Sequence, residues 1–180
     1  MMASAKTTRA IGGLAGVGRT RRIILSDTLL NRYTPDEVES VIAHELAHHV
    51  HRDIARLTVA GAVASLLGLL AVDRILRAAN EPLGLGGIEN VAGLPIVGLA
   101  VATMSTVFGP FLNALSRKRE AEADRFAVRV TGNPHAFRST MVKIHDQNLG
   151  VADPSPMAEM LFHDHPSGKR RVEAVLRERP

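Results

Sequence analysis

Residues 34–50 read TPDEVESVIAHELAHHV and predict a helix with a well-marked start. Thr34 is suited to be the N-cap, Pro35 takes the first helical position, and Glu37 completes a capping box with Thr34. Apolar residues then recur at helical spacing, at Val38, Val41, Ile42, Leu46 and Val50. We therefore expect the fold to be built around this helix.

Two histidines of this helix, His44 and His48, are four residues apart, so both imidazoles project from one face. In this arrangement two ring nitrogens can bind one Zn²⁺ at about 2.0–2.1 Å. Glu45 follows the first histidine and is placed to act as a general base toward water. The alternative is that His44 and His48 are ordinary core or solvated histidines. We interpret the neighbouring His49 and His51, which point elsewhere on the helix, as surface residues.

A catalytic zinc site needs a third protein ligand, and acids further along the chain are candidates. The best source is SRKREAEAD at 116–124. There Glu120 and Asp124 are four apart on one helical face, while Glu122 faces away. The spacing alone leaves open a second interpretation, in which these acids form ion pairs on a helix surface, for example Arg117 with Glu120.

Short apolar runs at 10–15 and 22–25, separated by a Gly-Val-Gly turn, predict a β-hairpin before the 34–50 helix. The last predicted helix is amphipathic and directs Val172, Val175 and Leu176 inward. The helices predicted in the C-terminal half are 111–131 after Pro110, 134–148, one starting at Ser155-Pro156, and 168–178.

Two long stretches are nearly free of charge. Residues 57–72 and 90–116 contain no charged side chain, and a membrane span needs about 20 residues. The first stretch reaches that length as 55–76, with Arg56 and Arg74 extending toward the headgroups. We expect 55–76 and 90–116 to cross a membrane as a hairpin; the alternative is a pair of buried helices in a soluble core. Small residues recur every fourth position in both, at Ala60, Ala64 and Gly68 and at Gly98, Ala102 and Thr106.

The composition agrees with helices packed in lipid and excludes several other classes. The chain is 46% hydrophobic but only 3% aromatic, so its apolar residues are mostly small and aliphatic. Its net charge is +4, but no aromatic residues interleave with the arginine clusters, so we expect no nucleic acid partner. Cysteine is absent, which excludes disulfides and thiolate metal sites. Residues 1–9 contain no apolar run, and none begins before Ile11, which predicts no signal peptide.

Three separated motifs together resemble the membrane zinc proteases that include the CAAX prenyl endoproteases and the HtpX heat-shock protease. They are HELAH at 44–48 followed by Arg52-Asp53, the SRxxExxxD pattern at 116–124, and His165-Pro166 with Arg171 six residues after the histidine. The run RRIILSDTLL at 21–30 is also similar to the segment before the metal-binding helix of that family. The resemblance covers most of the chain.

The resemblance implies which residues form the site. His44, His48 and Glu120 would bind one zinc ion per chain, and Glu45 would be the catalytic base. Asp124 would lie next to the ligands, where it could orient a histidine or bridge to Arg171. His165 would lie at the substrate and stabilise an oxyanion. His163 could do the same by its residue type, but it does not match the motif.

Two departures from the family pattern are visible. Members usually carry further membrane helices before the hairpin, and here none precedes it, so we expect a shortened or minimal member. The segment 9–13 also lacks the Asn-Ala pair that is common there.

We expect a single domain, 1–180, that is mainly α, with a zincin-like metal helix, a small β-hairpin and a two-helix transmembrane hairpin. It would be a multi-pass membrane protein and a zinc-dependent endopeptidase that hydrolyses peptide or protein substrates at or near the bilayer. The alternative is a membrane-associated binding or structural protein with a non-catalytic metal site, which would not need Glu45. The site would face the cytoplasm, because its side of the hairpin carries the excess of cations, at Arg52, Arg56, Arg117, Lys118 and Arg119 against Arg74 and Arg77.

Overall fold

A computed structural model describes residues 12–16, 18–20, 22–87, 89–148 and 153–177. Parts of the predicted elements, residues 9–11, 17, 21 and 178, lie outside the described residues. The fold is mainly helical with one two-stranded sheet, which confirms the predicted fold class. The elements are β1 (Gly12–Ala15), β2 (Arg22–Leu25), α1 (Asp27–Arg32), α2 (Pro35–Val50), α3 (Asp53–Asn80), α4 (Leu94–Thr131), α5 (Pro134–Asn148), α6 (Pro156–Phe162) and α7 (Gly168–Arg177).

The predicted hairpin is present, and a short helix follows it. β1 and β2 pair antiparallel, with Gly12 opposite Leu25. The hydroxyl of Ser26 then accepts the N–H of Leu29 at 3.2 Å and starts α1. α1 is not among the predicted helices, because six residues carry too little periodicity to indicate one. Its Leu29 is fully buried, so packing stabilises α1 in addition to the Ser26 cap.

α2 begins as its sequence predicts. The hydroxyl of Thr34 accepts the N–H of Glu37 at 3.4 Å, and the Glu37 carboxylate accepts the N–H of Thr34 at 2.8 Å. These two bonds form the capping box, with Pro35 at the first helical position. The start of α2 is thereby fixed, and with it the face on which its histidines lie.

A single residue turns the chain from α2 into α3. Among the described non-glycine residues, only Arg52 has a positive φ, at 56°. This left-handed conformation lets α3 begin at Asp53, directly after α2. The side chain of Asp53 is thereby brought back toward the end of α2.

α3 and the Val91–Thr131 segment are both long and apolar enough to cross a membrane. In the most apolar part of α3 no residue is buried, and in that of the second segment only 11% are. The core helices of a soluble protein would be mostly buried. The exposure therefore argues against the soluble-core alternative and favours the membrane hairpin.

The predicted start of a separate helix at 111 is wrong, because α4 runs without interruption from Leu94 to Thr131 and contains Pro110. Proline in a helix removes one backbone hydrogen bond and crowds the preceding turn. In membrane-type helices the freed groups are commonly satisfied locally. One helix thus includes both the predicted span and the acids at 116–124.

The stripe of small residues is placed correctly on α3 but not on α4. Gly68 faces α4, where a Cβ built on it would lie 3.9 Å from Cβ of Met104. Gly98, in contrast, has open space where its Cβ would lie, and Ala102 and Thr106 are exposed. The side of α4 that faces α3 carries other residues instead, Val101, Met104, Ser105, Phe108, Gly109 and Leu112.

The C-terminal helices close the core beside α2. Phe137 and Met141 of α5, Val175 of α7 and two alanines, Ala43 and Ala127, form one buried cluster. Val172 packs against this cluster, as predicted. Leu176 does not: it is 44% exposed, because α7 is held by one narrow stripe that Val172 and Val175 already fill.

Candidate metal centre

α2 brings His44 and His48 together on one face, since residues four apart lie one turn above each other. Their Nε2 atoms are 3.2 Å apart, and the two rings meet edge to face with centroids 4.8 Å apart. His51 has a different environment. Its ring packs against Phe126 at a centroid distance of 5.8 Å, so it is not the plain surface residue that was expected.

α4 supplies the third side chain, Glu120. Its Oε2 lies 3.5 Å from Nε2 of His44, and its Oε1 lies 3.4 Å from Nε2 of His48. Small residues make this approach possible. Ala47 of α2 and Ala123 of α4 are fully buried. Ala43, one turn before Ala47, and Ala127, one turn after Ala123, belong to one buried cluster. Alanine at these positions lets two helices pack closely enough for a glutamate to reach across.

The donor atoms fit a single tetrahedral metal ion. The ligand atoms of His44, His48 and Glu120 all lie within 4.8 Å of one another. Metal–ligand bonds of about 2.0–2.1 Å at tetrahedral angles place neighbouring donors about 3.3–3.4 Å apart. The two Nε2 atoms are 3.2 Å apart, and each lies at a similar distance from one Glu120 oxygen, 3.5 Å from Oε2 for His44 and 3.4 Å from Oε1 for His48. Two imidazoles and one carboxylate are also a donor set that zinc accepts, so these residues can hold a metal ion.

A carboxylate lies next to the Nδ1 atom of each of the two histidines. Nδ1 of His48 lies 2.9 Å from Oδ2 of Asp53. Nδ1 of His44 lies 3.0 Å from Oδ1 of Asp124, although without the alignment of a good hydrogen bond. A carboxylate on Nδ1 favours the tautomer in which Nε2 carries its lone pair, the form that binds a metal. Both histidines therefore present Nε2 toward Glu120.

Two arginines stand behind the carboxylates. Arg171 of α7 donates to both oxygens of Asp124, at 2.8 and 2.6 Å, and also lies 3.5 Å from Glu120. Arg119 of α4 lies 3.9 Å from Asp53, a looser contact. Arg171 ties α7 to α4 at the site, since it bonds to the acid that contacts His44.

The electrostatics of the centre favour a cation between the side chains. Burial alone would lower the pKa of His48, but Glu120 and Asp53 raise it to about 9. Burial likewise opposes ionisation of Glu120, yet His44, His48 and Arg171 hold its pKa far below the usual range. The carboxylates thus stabilise positive charge on the two rings, and a metal ion would supply that charge in place of the protons.

The centre opens into a cleft of about 720 Å³. Glu45 and His165 line it together with the three clustered side chains, and Gly12 of β1 lies at its edge. Nε2 of His165 is 3.5 Å from Oε1 of Glu120, and its side chain is 55% exposed. His163 does not line the cleft; its carbonyl accepts a hydrogen bond from Arg117 at 2.6 Å.

Comparison with known proteins identifies the family. Residues 9–179 match the model of peptidase family M48. The chain belongs to peptidase family M48. The M48 chain is 28% identical over 179 residues to the "Uncharacterized metalloprotease YhfN" of Bacillus subtilis, covering 97% of this chain and 42% of that protein. It is 36% identical over 161 residues to a "Protease HtpX homolog" of Burkholderia mallei, covering 78% of this chain and 54% of that protein.

The same fold occurs in the crystal structure of S. mikatae Ste24p, with a TM-score of 0.81 at 20% identity. The alignment covers 97% of the M48 chain and 44% of that structure. The M48 chain therefore spans about half the length of the relatives it matches. These comparisons confirm the family resemblance that the three motifs indicated.

One contact in the centre of this M48 chain was not predicted from its sequence. In the sequence, Asp53 is part of the Arg52-Asp53 pair that follows the second histidine, and the pattern assigns it no role. The sequence signal was its position five residues after His48, just beyond the end of a helix. That signal could not be used without knowing that Arg52 adopts a left-handed conformation.

Proposed function

We propose that this M48 chain is a zinc-dependent endopeptidase that hydrolyses peptide bonds at a membrane. The observation that carries the proposal is the convergence of His44, His48 and Glu120 at 3.2–3.5 Å in a cleft that Glu45 also lines. A purely structural metal site is usually closed by four protein ligands, whereas a catalytic site keeps one position open. Among the described residues, three side chains converge here, and the cleft leaves room for a peptide.

His44, His48 and Glu120 would hold the zinc ion. When bound, zinc supplies Lewis-acid chemistry, because it polarises a carbonyl group and lowers the pKa of water. Asp53 and Asp124 keep the two imidazoles in the binding tautomer. Arg171 in turn holds Asp124 in place through two hydrogen bonds.

The proton transfers fall to Glu45. It takes a proton from the attacking water and then gives it to the leaving amine. His165 donates one ring N–H to the oxygen that becomes negative as the carbonyl carbon turns tetrahedral. Its position beside Glu120, on the open side of the cleft, suits this role. The substrate backbone would extend along the edge of β1, where Gly12 borders the cleft.

We further propose that α3 and α4 cross the bilayer as a hairpin, which makes the protein multi-pass. Both helices reach the metal centre at the same end of the hairpin, α3 through Asp53 and α4 through Glu120. That end carries more cations than the other, an excess that supports our proposal of a cytoplasmic centre. The cations at the centre are Arg52, Arg56, Arg117, Lys118 and Arg119, against Arg74 and Arg77 at the far end.

The decisive experiment compares wild type with Glu45→Gln in zinc content and in cleavage of an unfolded protein such as casein. Glutamine keeps the shape of the side chain but cannot take a proton, so zinc should stay while cleavage falls by about 10²–10⁴-fold. If the variant cleaves within a few-fold of wild type, Glu45 is not the base. If neither protein cleaves but both bind zinc, the alternative of a non-catalytic metal site stands.

A second pair of variants tests the ligand set. Glu120→Ala should strip or weaken the zinc, because it removes the only carboxylate of the described cluster that faces both Nε2 atoms. Glu122→Ala is the matched control, since Glu122 lies on the same helix and pairs with Arg119 instead. Full, tight zinc occupancy in Glu120→Ala would remove Glu120 from the ligand set.

A further inference from the structure

α6 exposes an apolar surface that nothing in the proposed chemistry uses. Met157, Met160 and Phe162 are 68%, 50% and 78% exposed. Met157 and Met160 are three residues apart, so they share one face of α6, and Phe162 is exposed on a different side at the end of the helix. We call these three residues the α6 apolar surface. A cluster of this kind marks contact with a protein or a membrane.

The position of α6 along α4 fixes its depth. The amide of Asn113 donates to the carbonyl of Leu161 at 3.0 Å, and Arg117 donates to the carbonyls of Glu159 and His163 at 3.0 and 2.6 Å. Asn113 lies in the last turn of the uncharged 90–116 segment, and Arg117 is the first charged residue after it. One helical turn is about 5.4 Å. The end of α6 therefore lies within about one turn of the boundary of the proposed span.

We propose that the α6 apolar surface contacts the lipid bilayer at its interface. This inference rests on the proposed membrane crossing of α3 and α4. The position of α6 favours a bilayer as the partner of this surface. The surface lies at the same level along α4 as that helix's own exposed apolar side, where Phe111 is 66% exposed. Apolar side chains of helices at a membrane interface lie about 5–10 Å deep in the boundary between headgroups and acyl chains.

The contact has a consequence for the cleft. His165 follows Phe162 by three residues, and its ring reaches 3.5 Å from Glu120. The lipid contact holds the start of the segment that carries His165, and Arg117 holds its middle at His163. The bilayer thereby helps to position a cleft residue that is otherwise 55% exposed.

The chain contains no tryptophan, so single Trp variants report on one site each. The test reconstitutes the full chain into phosphatidylcholine vesicles with and without brominated acyl chains, which quench tryptophan on contact. The reporter is Phe162→Trp, with Met160→Trp as a second reporter on the same surface. Val107→Trp in the proposed span and Val130→Trp near the end of α4 are matched controls, since both valines are 59% exposed.

We expect brominated lipid to reduce the fluorescence of Phe162→Trp, Met160→Trp and Val107→Trp, and to leave that of Val130→Trp unchanged. Val130 lies 14 residues beyond Ser116, about 21 Å along the helix. If Val107→Trp is quenched while both α6 reporters behave like Val130→Trp, the lipid contact is refuted and the membrane crossing stands. If Val107→Trp is not quenched either, the membrane crossing fails and the lipid contact with it.

Discussion

Asp53, the first residue of α3, lies 2.9 Å from the Nδ1 atom of His48, near the end of α2. The contact joins the helix that presents two histidines to the helix that enters the proposed membrane span. It depends on the left-handed conformation of Arg52, which turns the chain between the two helices. The geometry of the centre and the start of the span are therefore set by the same turn.

Asp53→Asn should weaken zinc binding by about 10–100-fold, the usual effect of removing a carboxylate behind a ligating histidine. Asparagine keeps the size of the side chain but loses the charge that stabilises the binding tautomer of His48. Competition with a chelator of known affinity measures the change. Asp73→Asn is the matched control, because Asp73 lies on the same helix and pairs with Arg77 far from the centre. Equal zinc affinity in wild type and Asp53→Asn would show that Asp53 does not support the ligand.

His165→Ala should lower kcat by about 10²–10³-fold, the effect of losing one oxyanion donor, with little change in KM. An interaction that forms only in the transition state changes the rate and leaves ground-state binding alone. The measurements are steady-state kinetics and zinc content, with His163→Ala as control. Loss of zinc from His165→Ala would instead make His165 a ligand, and the role of Glu120 would then need to be reassigned.

Gly12→Ala should lower kcat/KM for cleavage without removing zinc. A Cβ at Gly12 would lie 2.6 Å from Cγ1 of Val41, so β1 must move away from α2 at the edge of the cleft. Gly13→Ala is a stringent control, because no atom lies within 4 Å of a Cβ built there. If both variants cleave as fast as wild type, the position of β1 does not matter for the substrate.

Glu37→Gln should destabilise the protein at neutral pH by about 1–3 kcal/mol, because Glu37 is buried and hydrogen-bonded. Burial would raise the pKa of Glu37, but hydrogen bonds from Lys143, Ser139 and Thr34 together lower it below 4.5. Since the pKa is lower in the folded state, the stabilisation is present above pH 4.5 and is lost as the pH falls below it.

Thermal unfolding of wild type and Glu37→Gln from pH 7 to 3 measures this effect, with a chelator in both samples so that zinc loss does not contribute. The difference in Tm should be largest near pH 7 and shrink in the acid range. A difference that does not change with pH would show that the charge of Glu37 is not what stabilises the fold.

The parts of the fold that depend on local sequence could be predicted. The start of α2 follows from Thr34, Pro35 and Glu37, which satisfy the first backbone groups among themselves. The convergence of His44 and His48 follows from helical geometry alone. The start of α6 at Ser155 is of the same kind, since its hydroxyl accepts the N–H of Ala158 at 3.2 Å.

The parts that depend on tertiary packing could not. Pro110 indicates a helix end locally, yet α4 continues through it. In lipid, hydrophobicity does not decide which side of a helix packs against another helix. The small residues of α4 therefore predicted the wrong side of α4 as the one that packs against α3. Leu176 shows the same limit in the soluble part, because helical spacing cannot say how wide a stripe the core will accept.

The uninterrupted course of α4 would link the metal centre to the thickness of the bilayer that α3 and α4 are proposed to cross. The uncharged part of α3, 57–72, is about 24 Å long, and that of α4, 94–116, is about 34 Å long. The first is shorter and the second longer than a hydrocarbon core of about 30 Å. A thinner or thicker bilayer is accommodated by helix tilt. Tilting α3 against α4 moves Asp53 and His48 relative to Glu120. We therefore expect zinc affinity to vary with acyl chain length in reconstituted vesicles, and equal affinity across chain lengths would contradict this.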